Sequence, residues 1–152
     1  MPADTSSPFV RARHRRAELL AAINGLEGAL AAPSAEPGWT EHLSHHVEVL
    51  RHSFADHVAA TESPDGMYAD ILRTAPRLSR GVERLVAEHA DASGSIDSLA
   101  KLIVDTPSDA DLAWVDRVRD EATELLARLV RHRQRGADLV FEAYQRDIGG
   151  CD

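Results

Sequence analysis

Three histidines of this 152-residue chain stand where a helical repeat calls for apolar side chains. The first is His57, which follows Leu43 and Leu50 at seven-residue steps in the segment WTEHLSHHVEVLRHSFADHVAATE, residues 39–62. Residues at this spacing lie on one face of a helix, so the His57 imidazole is predicted to face the core. Glu62 follows five residues later and would bring a carboxylate to the same end of the helix.

Two later apolar series each contain a histidine: Val82, His89, Ile96 and Ile103 in one, and Val118, Leu125, His132 and Leu139 in the other. A single buried imidazole is usually satisfied by a hydrogen bond to a nearby polar group. Several buried together lose their hydration unless each nitrogen finds a partner, and a shared metal ion is a simple partner. The repeated pattern therefore favours a metal site over isolated core histidines.

The remaining histidines carry a weaker signal. His14 lies about half a turn round from the apolar stripe of its own segment, so that it could face either the core or solvent. His42 and His46 have the four-residue spacing of a helical metal pair, but with His45 and His52 nearby we interpret most of this group as a solvated face. We interpret a run of arginines near the N-terminus in the same way: Arg11, Arg13, Arg15 and Arg16.

The composition narrows the class of protein. Apolar residues make up 43% of the chain but aromatic residues only 5%, and the abundance of Leu, Ala and Val favours helices. A formal charge of −8 argues against nucleic acid or an anionic membrane as a partner. No apolar run has the length of a membrane span and no secretory signal is present, so we expect a cytoplasmic protein. The lone Cys151 excludes an internal disulfide and a cysteine-based zinc site.

Turn residues divide the chain into four long helical segments. We expect tails at 1–8 and 147–152, and one domain at 9–146 containing helices at 9–32, 39–62, 76–104 and 109–144. A short helix is predicted at 67–74. Short connections place consecutive helices antiparallel, so the expected fold is an all-α, up-down-up-down four-helix bundle.

The connections also predict the depth of each histidine in such a bundle. The midpoints between His14 and His57 and between His57 and His89 fall inside connections, so each pair should share a level. The midpoint between His89 and His132 falls about three residues past the predicted turn, which would offset this pair by roughly 9 Å. His132 is therefore the member whose depth the sequence places least well.

Three of these segments together resemble the hemerythrin-like, or HHE cation-binding, domain. The resemblance is carried by HVAATESPDGMYADIL, PRLSRGVERLVAEH and LVRHRQRGADLVFEAY, and it covers about residues 9–145. It implies a helical bundle that holds non-haem iron and binds oxygen or a related small oxidant. It also implies the metal ligands, with one histidine from each long helix and Glu62 as the nearest match to the carboxylate of the second helix: His14, His57, Glu62, His89 and His132.

The chain departs from the family pattern at the other ligand positions. Thr61 stands where the family places the second-helix carboxylate, Ser93 where it places a second histidine, and Gly136 and Ala137 where it places another carboxylate. Four imidazoles and one carboxylate suit one divalent ion, whereas two ions need about ten donor positions. Ligand type admits iron, zinc, manganese or copper, and only the resemblance favours iron.

Three functions follow from these observations. The first is a metal protein that binds or processes dioxygen, nitric oxide or peroxide at an open coordination position. The second is a metal-free bundle that acts as an interaction or regulatory module with a protein partner, which the missing ligands favour. The third is a small metalloenzyme whose organic substrate the sequence does not name.

Overall fold

The computed structural model describes residues 7–144, and over this range the chain is helical with no strand. Four long helices are present: α1 (Pro8–Ala31), α2 (Trp39–Glu62), α4 (Ser79–Val104) and α5 (Leu112–Tyr144). Between α2 and α4 lie a short helix, α3 (Met67–Thr74), and a single 3₁₀ turn (Pro76–Leu78). The all-α prediction is confirmed. Cys151, the tail predicted at 147–152 and most of the tail predicted at 1–8 lie outside the described residues.

Local sequence explains where two of the long helices, α1 and α5, begin. The Ser7 hydroxyl accepts a hydrogen bond from the backbone N–H of Val10 at 3.2 Å, and Pro8 supplies a backbone angle suited to the first helical position. Asp111 caps α5 by accepting from the backbone N–H of Trp114 at 3.0 Å. That cap starts α5 at Leu112, three residues later than predicted.

The long helices contact one another in a closed order. α1 packs against α2, α2 against α4, α4 against α5, and α5 against α1. Trp39 and Trp114 meet edge to face at one end with their rings 6.5 Å apart, and the Trp39 indole N–H donates to the carbonyl of Ala29. Both tryptophans therefore lie at the same end of the core.

The buried side chains form two separate hydrophobic clusters. The larger contains the tryptophans, Phe54 and most of the buried leucines, while the smaller gathers around α3 and includes Met67, Tyr68, Ile71 and Leu85. His57, His89 and His132 are also buried, each with no more than 5% of its surface exposed. The predicted burial of these three histidines is confirmed.

No helix among residues 7–144 combines the length and the apolar character needed to cross a membrane.

The packing of α2 gives a direct stability prediction. Leu50 is fully buried in the larger cluster, whereas its neighbour Val49 is 37% exposed. Leu50→Ala should lower the free energy of unfolding by about 2–5 kcal/mol, because it removes buried methyl groups and leaves a cavity. Val49→Ala should change it by less than about 0.5 kcal/mol. Urea unfolding followed by circular dichroism measures both, and equal losses in the two variants would contradict this account of the core.

Candidate metal centre

The three buried histidines point their Nε2 atoms at one another. The Nε2 atoms of His57 and His132 are 3.2 Å apart, those of His57 and His89 3.2 Å, and those of His89 and His132 3.1 Å. The three side chains come from α2, α4 and α5. Three nitrogens in a triangle of this size form a compact set of candidate metal ligands.

Carboxylates bind the outer nitrogens of two of these rings. The Nδ1–H of His89 donates to Glu62 Oε2 at 2.6 Å, and the Nδ1–H of His132 donates to Glu88 Oε1 at 3.2 Å. A proton held on Nδ1 leaves Nε2 of a neutral imidazole as a lone pair. In His89 and His132 the lone pairs therefore face the centre of the triangle.

The third ring lacks such an acceptor. Nδ1 of His57 is buried and has no hydrogen-bond partner among the described residues. Phe54 covers the triangle from the larger cluster, with its ring centroid 5.9, 5.7 and 6.3 Å from those of His57, His89 and His132. On the other side Tyr68 stacks on His89 and brings its hydroxyl 3.5 Å from His89 Nε2.

Burial keeps the imidazoles neutral. It lowers the pKa of His57 and of His89 to about 3, with the neighbouring histidines adding to the effect. Burial also lowers the pKa of His132, although Glu88 partly opposes this. Neutral imidazole is the form that binds a metal ion.

The two outer carboxylates differ in their surroundings. Burial raises the pKa of Glu62, whose side chain is 30% exposed. Burial would also raise the pKa of Glu88, but hydrogen bonds from Arg135 and His132 outweigh it and lower the pKa. Arg135 binds Glu88 through Nε at 3.0 Å and through a second guanidinium nitrogen. Glu88 is thus held as an anion that orients His132.

His14 does not reach the cluster. Its side chain is 71% exposed and its Nε2 lies 3.0 Å from Glu18 Oε1 on the same helix. The buried positions of α1 are Ala12, Leu19, Ala22, Ile23, Leu26 and Ala29. Arg16 is half-buried, four residues after Ala12 and three before Leu19, so it lies on this buried face while His14 points away. The structure therefore corrects the expectation that α1 contributes His14.

Glu62 reaches the site but not its centre. The predicted set placed its carboxylate among the converging ligands, whereas the structure places it on the outer nitrogen of His89. At the position where the family pattern has a carboxylate, Thr61 is fully buried and donates to the backbone carbonyls of His57 and Val58. Glu88 has the equivalent outer role for His132, and the sequence analysis did not identify it.

The expected offset of His132 is also wrong. A displacement of roughly 9 Å followed from a turn centred near residue 108. The Nε2 atoms of His89 and His132 are only 3.1 Å apart, so both rings reach one level. The connection between α4 and α5 covers residues 105–111 and is still centred on residue 108, so the position of the turn does not account for this.

The surface histidines form their own group on α2. The rings of His42 and His46 are 4.6 Å apart and nearly perpendicular, and His45 contacts His46 in a similar way. His46 is half-buried and lies so close to Gly25 that a Cβ on residue 25 would come within 2.8 Å of His46 Nδ1. His42, His45 and His52 are exposed, which confirms the predicted solvated face.

Comparison with known proteins adds no assignment. No protein-family profile, no curated protein and no solved structure gives a significant match to this chain.

The depressed histidine pKa values predict acid sensitivity of the metal-free protein. Below about pH 6.5 the unfolded chain binds protons at His57 and His89, whereas the folded chain stays neutral at these sites until about pH 3. Stability should therefore be lost as the pH falls through this window, by about 1.4 kcal/mol per pH unit for each histidine that stays neutral.

The test compares His57→Gln with His45→Gln, since His45 is an exposed histidine on the same helix. The slope of unfolding free energy against pH, measured in urea between pH 4 and 6.5, should become shallower in His57→Gln only. An unchanged slope in that variant would show that His57 is not buried in its neutral form.

Proposed function

We propose that this protein binds one divalent metal ion through the Nε2 atoms of His57, His89 and His132, and that the open side of the ion takes a small oxidant such as dioxygen, nitric oxide or peroxide. We also propose that the four long helices form an up-down-up-down bundle of the hemerythrin-like kind. The short connections and the closed order of helix contacts support this topology.

One observation carries the metal proposal: the Nε2 atoms of His89 and His132 lie 3.1 Å apart although both rings hold their protons on Nδ1. Two lone pairs at this separation repel unless a positive charge or an N–H donor lies between them, and the one N–H within reach would be that of His57 Nε2, 3.2 Å from both atoms. A proton on either ring is disfavoured, because burial lowers the pKa of both. A cation bound by all three rings removes the repulsion.

The size of the triangle fits such an ion. Three nitrogens bonded at about 2.0–2.1 Å to a tetrahedral ion lie about 3.3–3.4 Å apart, close to the observed 3.1–3.2 Å. Outer hydrogen bonds to carboxylates, as at His89 and His132, are the usual support of metal-binding imidazoles. The donor set suits a transition metal with at least one open position.

The number and identity of the ions follow from the donors. Among the described residues no carboxylate reaches the centre to bridge two ions, and Thr61 stands where the family has one, so we propose a single ion. Imidazoles alone suit iron, zinc, manganese or copper, and the resemblance of the histidine segments to hemerythrin-like domains favours non-haem iron.

The surroundings of the triangle favour a small ligand. A bound ion would supply Lewis acidity and, as iron, the capacity to exchange electrons. Phe54 blocks one face, so the open side is that of Tyr68, whose hydroxyl is positioned to donate a hydrogen bond. Burial raises the pKa of Tyr68 far above neutrality and so keeps that proton in place. An open pocket of about 520 Å³ between α4 and α5 is lined by His132 and by its outer partners Glu88 and Arg135.

Removing one of three ligands should abolish stoichiometric metal binding. We expect about one ion per chain in wild type and a loss of at least tenfold in affinity in His57→Ala, because two imidazoles are left to hold the ion. His45→Ala, on the exposed face of the same helix, should bind as wild type does. Elemental analysis after expression with iron, zinc or manganese, followed by competition with a chelator, measures both.

Equal metal content in His57→Ala and His45→Ala would overturn the site. So would a wild-type protein that binds no ion under any of the three supplies. In the second case a metal-free interaction module would become the better explanation of this bundle.

Tyr68 tests the small-ligand part of the proposal. In the iron-loaded protein under anaerobic conditions, Tyr68→Phe should weaken nitric oxide binding about 2–10-fold through the loss of one hydrogen bond, with iron content unchanged. Tyr144→Phe is the matched control, since its hydroxyl donates to Asp70 at 2.6 Å and not to the site. Optical titration with nitric oxide gives both affinities, and equal affinities in the two variants would remove Tyr68 from the ligand-binding role.

A further inference from the structure

The hydrogen bonds from the Nδ1 atoms of His132 and His89 follow one direction around the bundle, each to a carboxylate on the preceding long helix. His132 on α5 donates to Glu88 on α4, and His89 on α4 donates to Glu62 on α2. The next step in this order runs from His57 on α2 to α1, since α1 is the other long helix that α2 contacts. Nδ1 of His57 is buried and has no hydrogen-bond partner among residues 7–144.

At this level α1 offers an arginine instead of a carboxylate. Arg16 lies on the buried face of α1, between Ala12 and Leu19, and has no hydrogen bond or ion pair among residues 7–144. A second arginine, Arg133, follows His132 on α5, and its buried Nε is also without a partner among those residues. α1 and α5, the two helices that carry these arginines, pack against each other.

The charges of these groups act on one another. Burial lowers the pKa of Arg133, and the positive charge of Arg16 lowers it further. Both arginines also lower the pKa of His57, after the larger effects of burial and the other histidines. Two unpaired cations beside a divalent ion would repel each other and the ion unless an anion lay among them.

We propose that Arg16, Arg133 and the Nδ1–H of His57 form a binding site for a small carboxylate anion. The anion would accept a hydrogen bond from His57, as Glu62 does from His89 and Glu88 from His132, while its charge is balanced by the two guanidinium groups. Arginine suits this role because its planar fork matches the two oxygens of a carboxylate. The inference rests on the proposed metal site, since an ion on Nε2 fixes the proton of His57 on Nδ1.

Acetate is the probe, compared with chloride at equal ionic strength. At about ten times its Kd, acetate should raise the unfolding midpoint of the metal-loaded protein by at least about 3 °C over chloride. Most of this gain should disappear in Arg16→Met and in Arg133→Met. Arg131→Met, which removes an exposed arginine two residues before Arg133, should keep it. Differential scanning calorimetry gives the midpoints.

Arg16→Glu is a stricter test. A glutamate at this position would supply the missing acceptor from α1, so this variant should be insensitive to acetate while keeping its metal. A response to acetate equal to that of wild type in Arg16→Met and Arg133→Met would overturn the site, as would no difference between acetate and chloride in wild type. If Arg16→Met failed to fold, the comparison of Arg133→Met with Arg131→Met would decide.

Two further outcomes separate this site from others. A gain with phosphate but not with acetate would replace the carboxylate by a tetrahedral oxyanion and overturn the proposed ligand class. Metal content is measured in the same samples. If the wild-type protein holds one ion per chain but shows no response to acetate, the anion site alone is removed. If the wild-type protein takes up no metal but responds to acetate in a way that depends on Arg16 and Arg133, the metal proposal alone is removed.

Discussion

Three imidazole Nε2 atoms lie 3.1–3.2 Å apart between the helices. The side chains around them determine how the repulsion between their lone pairs is relieved. Glu62 and Glu88 take the protons of two rings on their outer side, which leaves lone pairs at the centre. Burial then disfavours protonation of those lone pairs. Each feature makes the centre more electron-rich, and together they favour a cation as its occupant.

The charged groups around the histidines differ in sign between the two sides of the site. On the side of α2 and α4, carboxylates set the proton positions of the imidazoles, and Arg135 holds one of them ionised. On the side of α1 and α5, Arg16 and Arg133 meet no such acid among the described residues. The charge distribution around the site is therefore asymmetric, with anions on one side and cations on the other. Such an imbalance would draw a negatively charged molecule to the second side.

The sequence predicted most of the fold and the centre of the site, because seven-residue apolar series determine which face of a helix is buried. His57, His89 and His132 follow from those series alone. His14 was misplaced because it was matched by family pattern, although extending the α1 stripe back from Leu19 leads to Arg16 and Ala12. Glu88 could not be found this way, since its contact with His132 depends on how α4 and α5 are rotated against each other.

The three buried histidines also lie between the two hydrophobic clusters of the core. Phe54 and the tryptophans lie in the larger cluster on one side of the three histidines, and Tyr68 and Met67 lie in the smaller cluster at α3. His89 contacts Phe54 of one cluster and Tyr68 of the other. Without an ion we expect the α3 end to open more readily than the tryptophan end, because the two clusters can unfold separately. A bound ion would link α2, α4 and α5 across this boundary and make the two ends a single cooperative unit.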